Sequence, residues 1–302
     1  MSLSLKILGT SSATFTKERN QTAQALKSNS SYYLIDCGEG TQIQLKKYSI
    51  KTNKIDAVFI SHLHGDHYLG LFGLLSSMSL KGREKRLSIF GPKGLQEIIT
   101  IQLQASQSCF SYQIDFQEIN VDTITQIYQD KNIKVEVFPV YHRIECYGYK
   151  FTTLPEGYKI IKSTLPKNIP LIKIKNLTKG KDVILDDGTV IPYQKHTTPP
   201  PAVATYAYCA DTRYALEILP YIQGVDTLYH EATFTEEFAN RAETTFHATA
   251  SQAGLIAHQA QVKQLIIGHY SARYKTNEVH LQEAKVEFDN IIALNDGDLI
   301  QI

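Results

Sequence analysis

The sequence predicts an α/β fold: one domain over residues 1–302, interrupted by an inserted arm over 151–201. Three observations carry this. Short apolar runs rich in β-branched and aromatic residues alternate with longer amphipathic stretches. Polar residues recur just past the ends of those runs, where α/β proteins place their chemistry. The stretch from Phe151 to Pro201 instead loses periodicity and fills with Pro, Lys and Thr. A chain of 302 residues has ample core for one large domain.

In chain order, Leu3–Leu8 reads as the first strand. No basic segment precedes it, so it does not read as a secretion signal. Ser31–Ile35 and Ala57–Ile60 are the next strands, with a helix over Gly40–Tyr48 after a Gly-rich turn. Tyr68–Leu80 is apolar on one face and reads as a helix. Strand Leu87–Phe90, a helix over Gly94–Ser106 after Pro92, and strand Lys134–Val140 follow. Within the arm, Asp187-Gly188 between Val183–Leu185 and Val190-Ile191 is a hairpin signal. Pro199-Pro200-Pro201 stiffens the return to the body, and the arm reads as an excursion without a core of its own. The alternation then resumes. Strand Val203–Cys209 delivers Asp211, Thr227–Tyr229 delivers His230 and Glu231, and Leu265–Ile267 delivers His269. Helices over Tyr214–Tyr221, Thr249–Gln259 and Glu278–Asn290 lie between or after them.

Composition is that of an ordinary globular protein, with no apolar run long enough to span a bilayer, so no membrane role is expected. Cys37, Cys109, Cys146 and Cys209 show no metal or disulfide spacing, which predicts reduced thiols in a cytoplasmic protein. The net charge is +1, yet Lys150 to Lys181 holds eight lysines against one acid, Glu156. A basic appendage on a mildly acidic body suits a polyanion contact, and it equally suits a solvated lysine-rich insertion. Charge alone leaves both readings open.

The most informative run is His62-Leu63-His64-Gly65-Asp66-His67, directly after a strand. In extended backbone His62 and His64 point to one side. The Gly65 turn lets Asp66 and His67 reach a second position. Two pairs of nitrogen and oxygen donors suit zinc-type cations, and two of them. A purely structural role would require three histidines to be satisfied in one tight turn, at a high desolvation cost. His142, Asp211, His247 and His269 also fall at strand-to-loop junctions. Singly, each is compatible with a surface or capping role; their number and common context point to one site.

These segments, with Ala210-Asp211-Thr212, His230-Glu231-Ala232-Thr233, His247-Ala248-Thr249 and Gly268-His269-Tyr270-Ser271-Ala272-Arg273-Tyr274, match the metallo-β-lactamase superfamily in order and spacing. More narrowly, the chain resembles the ribonuclease Z family of tRNA 3′-processing endoribonucleases, which also explains Thr16-Lys17-Glu18-Arg19-Asn20 as a variant of that family's Pro-x-Lys-x-Arg-Asn loop. The resemblance covers essentially the whole chain. It implies two mixed β-sheets packed face to face with helices outside, and two zinc ions per chain, a place other divalent metals can take. His62, His64, His142 and Asp211 would hold one ion, and Asp66, His67, His269 and the shared Asp211 the other. Asp66, His247 and Glu231 would act in catalysis, with His247 protonating the leaving 3′ oxygen and Glu231 orienting it. Lys17, Arg19 and Asn20 would read the tRNA 3′ end, and Arg273 would hold a phosphate or else form a surface ion pair. Lys173 and Lys175 on the arm would grip precursor tRNA, and the active form would be a homodimer. The expected products are a tRNA 3′-hydroxyl and a trailer with a 5′-phosphate.

The match departs in places. The arm has Asn168-Ile169-Pro170-Leu171-Ile172 where the family has a Gly-Pro element, Phe15 stands in place of Pro, and Ala248 and Ala272 in place of residues that are often Ser. Two other functions keep the same residues: a metallo-hydrolase of small phosphodiesters or (thio)esters, and a catalytically silent RNA-binding scaffold.

Overall fold

The computed structural model describes residues 3–155, 157–166 and 169–302. Expectations that involve Met1, Ser2, Glu156, Lys167 and Asn168 fall outside the described residues. The chain begins with six strands, β1 (Leu3–Gly9), β2 (Ala23–Ser28), β3 (Ser31–Ile35), β4 (Ile55–Phe59), β5 (Leu87–Pro92) and β6 (Ile114–Ile119). Next come β7 (Thr125–Gln129), β8 (Ile133–Val140) and β9 (Cys146–Thr153), and then four two-residue strands of the insertion, β10 (Lys159–Ile160), β11 (Val183–Ile184), β12 (Val190–Ile191) and β13 (Thr197–Thr198). The chain closes with β14 (Thr205–Cys209), β15 (Thr227–Glu231), β16 (Gln264–Gly268), β17 (Ile291–Ala293) and β18 (Leu299–Gln301).

The long strands form two seven-stranded sheets, ordered β18-β1-β2-β3-β4-β5-β6 and β17-β16-β15-β14-β9-β8-β7. Both are mixed. β3 to β6 run parallel and β1 is antiparallel to β2 and β18. β14 to β17 run parallel and β7, β8, β9 antiparallel. Side-chain alternation explains the layering. Leu3, Leu5, Ile7, Tyr33, Ala57 and Phe59 of the first sheet share one core with Val135, Val137, Tyr149, Phe151 and Tyr206 of the second. Leu34, Val58 and Ile89, one residue out of phase, face the opposite way and meet Leu71, Leu74 and Met78 of helix Leu71–Leu80 and Ile99 of helix Leu95–Ala105. Two mixed sheets with helices outside are therefore observed, as the sequence led one to expect.

Several boundaries differ. The expected helix Tyr68–Leu80 is two pieces, Gly65–Tyr68 and Leu71–Leu80. They break at Gly70, where a Cβ would stand 2.1 Å from the Gly38 carbonyl oxygen; the chain approaches itself there too closely for any side chain. Phe151–Thr153 complete β9, so the insertion starts later than the sequence suggested. The insertion also has a small core, which corrects the reading of it as coreless. Leu177, Val183 and Ile191 are buried there against Ile160, Leu165, Ile169, Leu185 and Tyr193. These apolar residues are too scattered along the chain to produce a periodic pattern. The hairpin at Asp187-Gly188 is present, with Val183 opposite Ile191. At the base of the insertion the Thr153 N–H donates to the Ala204 carbonyl at 2.9 Å, so its two ends lie side by side. No helix among the described residues is long and apolar enough to cross a membrane.

Phe59 sits at the centre of the shared core, its ring 5.0 Å from Phe90, 5.3 Å from Phe151 and 5.4 Å from Tyr149. Phe59→Ala should cost about 3–5 kcal/mol, the usual cost of emptying a buried aromatic site. Urea unfolding of metal-stripped protein measures it, and an unchanged midpoint would contradict the packing described.

Candidate metal centre

All but one of the residues of the site sit at or just beyond the C-terminal end of a strand. His62, His64, Asp66 and His67 follow β4, His142 follows β8, Asp211 follows β14, Glu231 ends β15 and His269 follows β16. His247 lies between the left-handed residue Phe246, which ends helix Ala239–Thr245, and the Thr249–Gln252 capping box that starts helix Ala250–Gln259. Parallel strands in register thus bring residues distant in sequence to one edge of the sandwich.

The donors fall into two groups around one carboxylate. In the first, His64 Nδ1 is 3.1 Å from both His62 Nε2 and His142 Nε2. Asp211 Oδ2 is 3.5 Å from His62 Nε2 and 4.0 Å from His142 Nε2. In the second, His67 Nε2 is 3.2 Å from His269 Nε2 and 3.5 Å from Asp66 Oδ2. Asp211 Oδ1 is 3.2 Å from His269 Nε2 and 3.5 Å from His67 Nε2. Asp211 therefore turns one oxygen to each group. Tetrahedral donors about 2.1 Å from a cation lie about 3.4 Å apart, so the 3.1–3.5 Å separations within each group are those of ligands sharing a cation.

The outward ring nitrogens of His62, His67, His142 and His269 are already committed. His67 Nδ1–H donates to Asp36 Oδ2 at 2.8 Å and His142 Nδ1–H to the Phe246 carbonyl at 2.8 Å. His269 Nδ1–H donates to Thr233 Oγ1 at 2.9 Å, and His62 Nδ1–H to Ser61 Oγ at 3.0 Å. In the neutral imidazoles each inward nitrogen then carries a bare lone pair, directed at other lone pairs. Only a cation makes such an arrangement favourable. Asp211 Oδ1, buried and without a hydrogen-bond donor among the described residues, supports the same conclusion. The residues present fit a pair of divalent metal ions with nitrogen and oxygen ligands.

The electrostatics agree. Burial holds His62 neutral, well below the usual imidazole range, and neighbouring His67 adds to this. Burial also opposes a charge on His67, but the Asp211, Asp66 and Asp36 carboxylates outweigh it and draw positive charge to this point. Burial opposes the charge on Asp211, but His269 and His67 beside it hold it ionised.

A second carboxylate organises the rim. Glu231 Oε1 accepts from His247 Nδ1 at 2.8 Å and from the Thr212 N–H at 3.1 Å. Its Oε2 accepts from the Thr233 hydroxyl at 2.7 Å, so Glu231 also steadies His269 through Thr233. Burial disfavours the His247 imidazolium, but the Glu231 charge and hydrogen bond prevail and raise its pKa to about 9. The Glu231 carboxylate thus favours the protonated form of His247.

All seven expected ligands and His247 and Glu231 converge. The expected RNA contacts are more scattered. Lys17 and Lys175 are exposed. Arg19 is buried, donates from Nη1 to the Tyr274 carbonyl at 2.9 Å and lies 4.8 Å above the Tyr270 ring. Asn20 is held by Asp296 at 2.9 Å, and Lys173 donates to Asp186 at 2.7 Å. Arg273 Nε donates to Ser271 Oγ while its guanidinium lies 4.4 Å from the Phe238 ring. Sequence reasoning missed Asp36, which accepts from the Ser61 N–H, the Ser61 hydroxyl, Tyr208 and His67. Its position directly after β3 was the available signal. Asp36 and His269, the two residues that flank His67, both adopt left-handed backbone, at φ 56° and 63°. That conformation costs of order 1–2 kcal/mol for a residue with a side chain.

Residues 3–199 match a family model described as anti-Pycsar protein Apyc1. The chain is 38% identical over 299 residues to a ribonuclease Z of Bacteroides fragilis, covering 99% of this chain and 98% of that one. It is 43% identical over 298 residues to a ribonuclease Z of Cytophaga hutchinsonii, covering 98% and 95%. Among solved structures it is similar to the short form of human tRNase Z, with a TM-score of 0.72, 23% identity and 98% of each chain covered. The metallo-β-lactamase fold protein YhfI of Bacillus subtilis gives the same TM-score of 0.72 at 17% identity, covering 100% and 98%. These structural likenesses establish the metallo-β-lactamase fold.

Asp36→Asn removes the acceptor charge behind His67 while keeping its shape. It should weaken metal binding about 10–100-fold, the usual cost of losing a partner behind a metal-bound histidine. Competition against a chromophoric chelator measures this, and unchanged affinity would show that Asp36 serves the fold alone.

Proposed function

The chain belongs to the ribonuclease Z family, and over residues 3–199 to the family of the anti-Pycsar protein Apyc1; we propose that it removes 3′ trailers from precursor tRNA using two zinc ions. It is a hydrolytic tRNA endonuclease in this reading, and the products are a tRNA 3′-hydroxyl and a 5′-phosphorylated trailer. The observation that carries the reading is Asp211, whose two oxygens serve two separate donor groups. Such a pair of cations, when bound, supplies hydroxide near neutral pH and offsets charge developing on the phosphate.

His62, His64, His142 and Asp211 would hold one ion, and Asp66, His67, His269 and Asp211 the other. The chain's own groups divide the remaining work. Asp66, fixed by the Ala13 N–H at 2.6 Å, accepts a proton from the attacking water. The water oxygen bonds to phosphorus as the bond from phosphorus to the tRNA 3′ oxygen breaks. His247, kept protonated and aimed by Glu231, donates to that oxygen. Lys17 and the loop that Arg19 and Asn20 anchor would meet the tRNA 3′ end, and Arg273 a phosphate. Lys162, Lys175, Lys179 and Lys181 are exposed on the insertion and suit phosphate contacts that set position and affinity. The active form is a homodimer in the cytoplasm, where precursor tRNA is found.

Purified protein incubated with a 3′-extended tRNA should cut it at one position, and a chelator should abolish the cut. His247→Ala should lower kcat about 10²–10⁴-fold, the usual contribution of a positioned acid, and leave RNA affinity within a few-fold of the parent. RNA affinity lost instead, with the fold preserved, would favour a binding scaffold. Because Thr153 and Ala204 are adjacent, residues 154–203 can be replaced by a short Gly-Ser turn. That variant should lose tRNA cleavage yet keep hydrolysis of a small aryl phosphodiester; undiminished tRNA cleavage would favour a small-molecule hydrolase.

A further inference from the structure

Arg143 follows the metal-group residue His142 on a short bend between β8 and β9. It is exposed and has no ion pair or hydrogen-bond partner among the described residues. Its neighbours, by contrast, are tightly held. The His142 ring is fixed by the Phe246 carbonyl, the Tyr141 N–H donates to Thr212 Oγ1 at 3.1 Å, and the Arg213 N–H donates to the Tyr141 carbonyl at 2.9 Å. The backbone that presents Arg143 is thereby locked to the loop that presents Asp211. An unpartnered guanidinium stands beside the metal groups on a rigid mount.

Arg143 lines two spaces. One is the cleft of about 350 Å³ over His64, Asp66, Asp211, His247 and His269. The other is an adjoining groove of about 620 Å³ that also includes Tyr141, Arg213 and Phe246. The Tyr141 ring lies 4.9 Å from the Arg213 guanidinium, and Phe246 is partly exposed. Asp122 and Glu145 also border the groove, and Glu145 accepts from the Tyr147 hydroxyl at 2.5 Å. Cations and aromatic rings along a channel too small for a duplex suit a single strand, whose phosphates meet the cations and whose bases meet the rings.

We infer that Arg143 binds a backbone phosphate on the trailer side of the cut and that the groove beyond it carries the trailer. The inference rests on the tRNA-processing reading. It assigns the strand leaving the metal cleft to the groove that shares Arg143, while the Ser12–Asn20 side of the cleft is left to the mature 3′ end.

Two measurements on the full-length protein test this. The first compares kcat/KM on precursors with a single-nucleotide and a long trailer. Arg143→Ala should lose about tenfold more on the long trailer, the scale of one charge-assisted contact, and Arg143→Lys should recover part of that loss. The second is binding of a 5′-phosphorylated single-stranded oligonucleotide across a salt series. Arg143→Ala should weaken it and reduce the log–log salt slope by about 0.7, the value for one phosphate on a single strand. Equal losses at every trailer length, or oligonucleotide binding indifferent to Arg143, would overturn the proposal. If the parent protein cuts no 3′-extended tRNA, the tRNA-processing reading fails, and the oligonucleotide series still decides whether the groove holds RNA.

Discussion

A buried carboxylate shared between two sets of imidazoles is the constraint on which the rest of the structure depends. Asp211 is almost inaccessible to solvent, and an ionised carboxylate in such a place must be compensated nearby. Around it stand five histidines, delivered by three different strand ends and one short helix, whose inward nitrogens complete the two donor groups. None of those ends is near the others in sequence. Only the parallel register of β14, β15 and β16, and the face-to-face packing of the second sheet on β3 and β4, bring them within ligand distance.

Around this carboxylate lie two more buried acids with distinct tasks. Asp36 gathers the Ser61 N–H and hydroxyl, Tyr208 and His67, and so ties the first sheet to the second directly behind the site. Glu231 divides its oxygens between His247 and Thr233, coupling the proposed proton donor to the ligand His269. The left-handed backbone at Asp36 and His269 fits this division of labour. Local strain persists where the surrounding contacts determine the conformation completely, and here both strained residues aim groups at His67.

Much of this was legible in the sequence because the decisive signals are local. The alternation in Leu3–Ile7 and Ala57–Phe59 fixes which faces point inward, and His62 to His67 shows its chemistry within six residues. What stayed hidden depends on tertiary neighbours. Asp36 looks like any acid at a strand end until Tyr208 and His67 arrive from elsewhere. Arg19 looks like a surface cation but is buried against Tyr270. The break at Gly70 comes from the Gly38 backbone, and the small core of the insertion from apolar residues spread between Ile160 and Tyr193. Propensity and periodicity carry no record of such contacts.

The shared role of Asp211 is tested most directly by counting metal ions and measuring their separation in the same active preparation. Elemental analysis of the parent protein should give two equivalents of metal per chain, and the manganese-substituted form should show two coupled ions about 3.5–4 Å apart, the spacing of a bridged pair. Full activity with a single ion, or with two ions that show no coupling, would contradict a carboxylate shared between them.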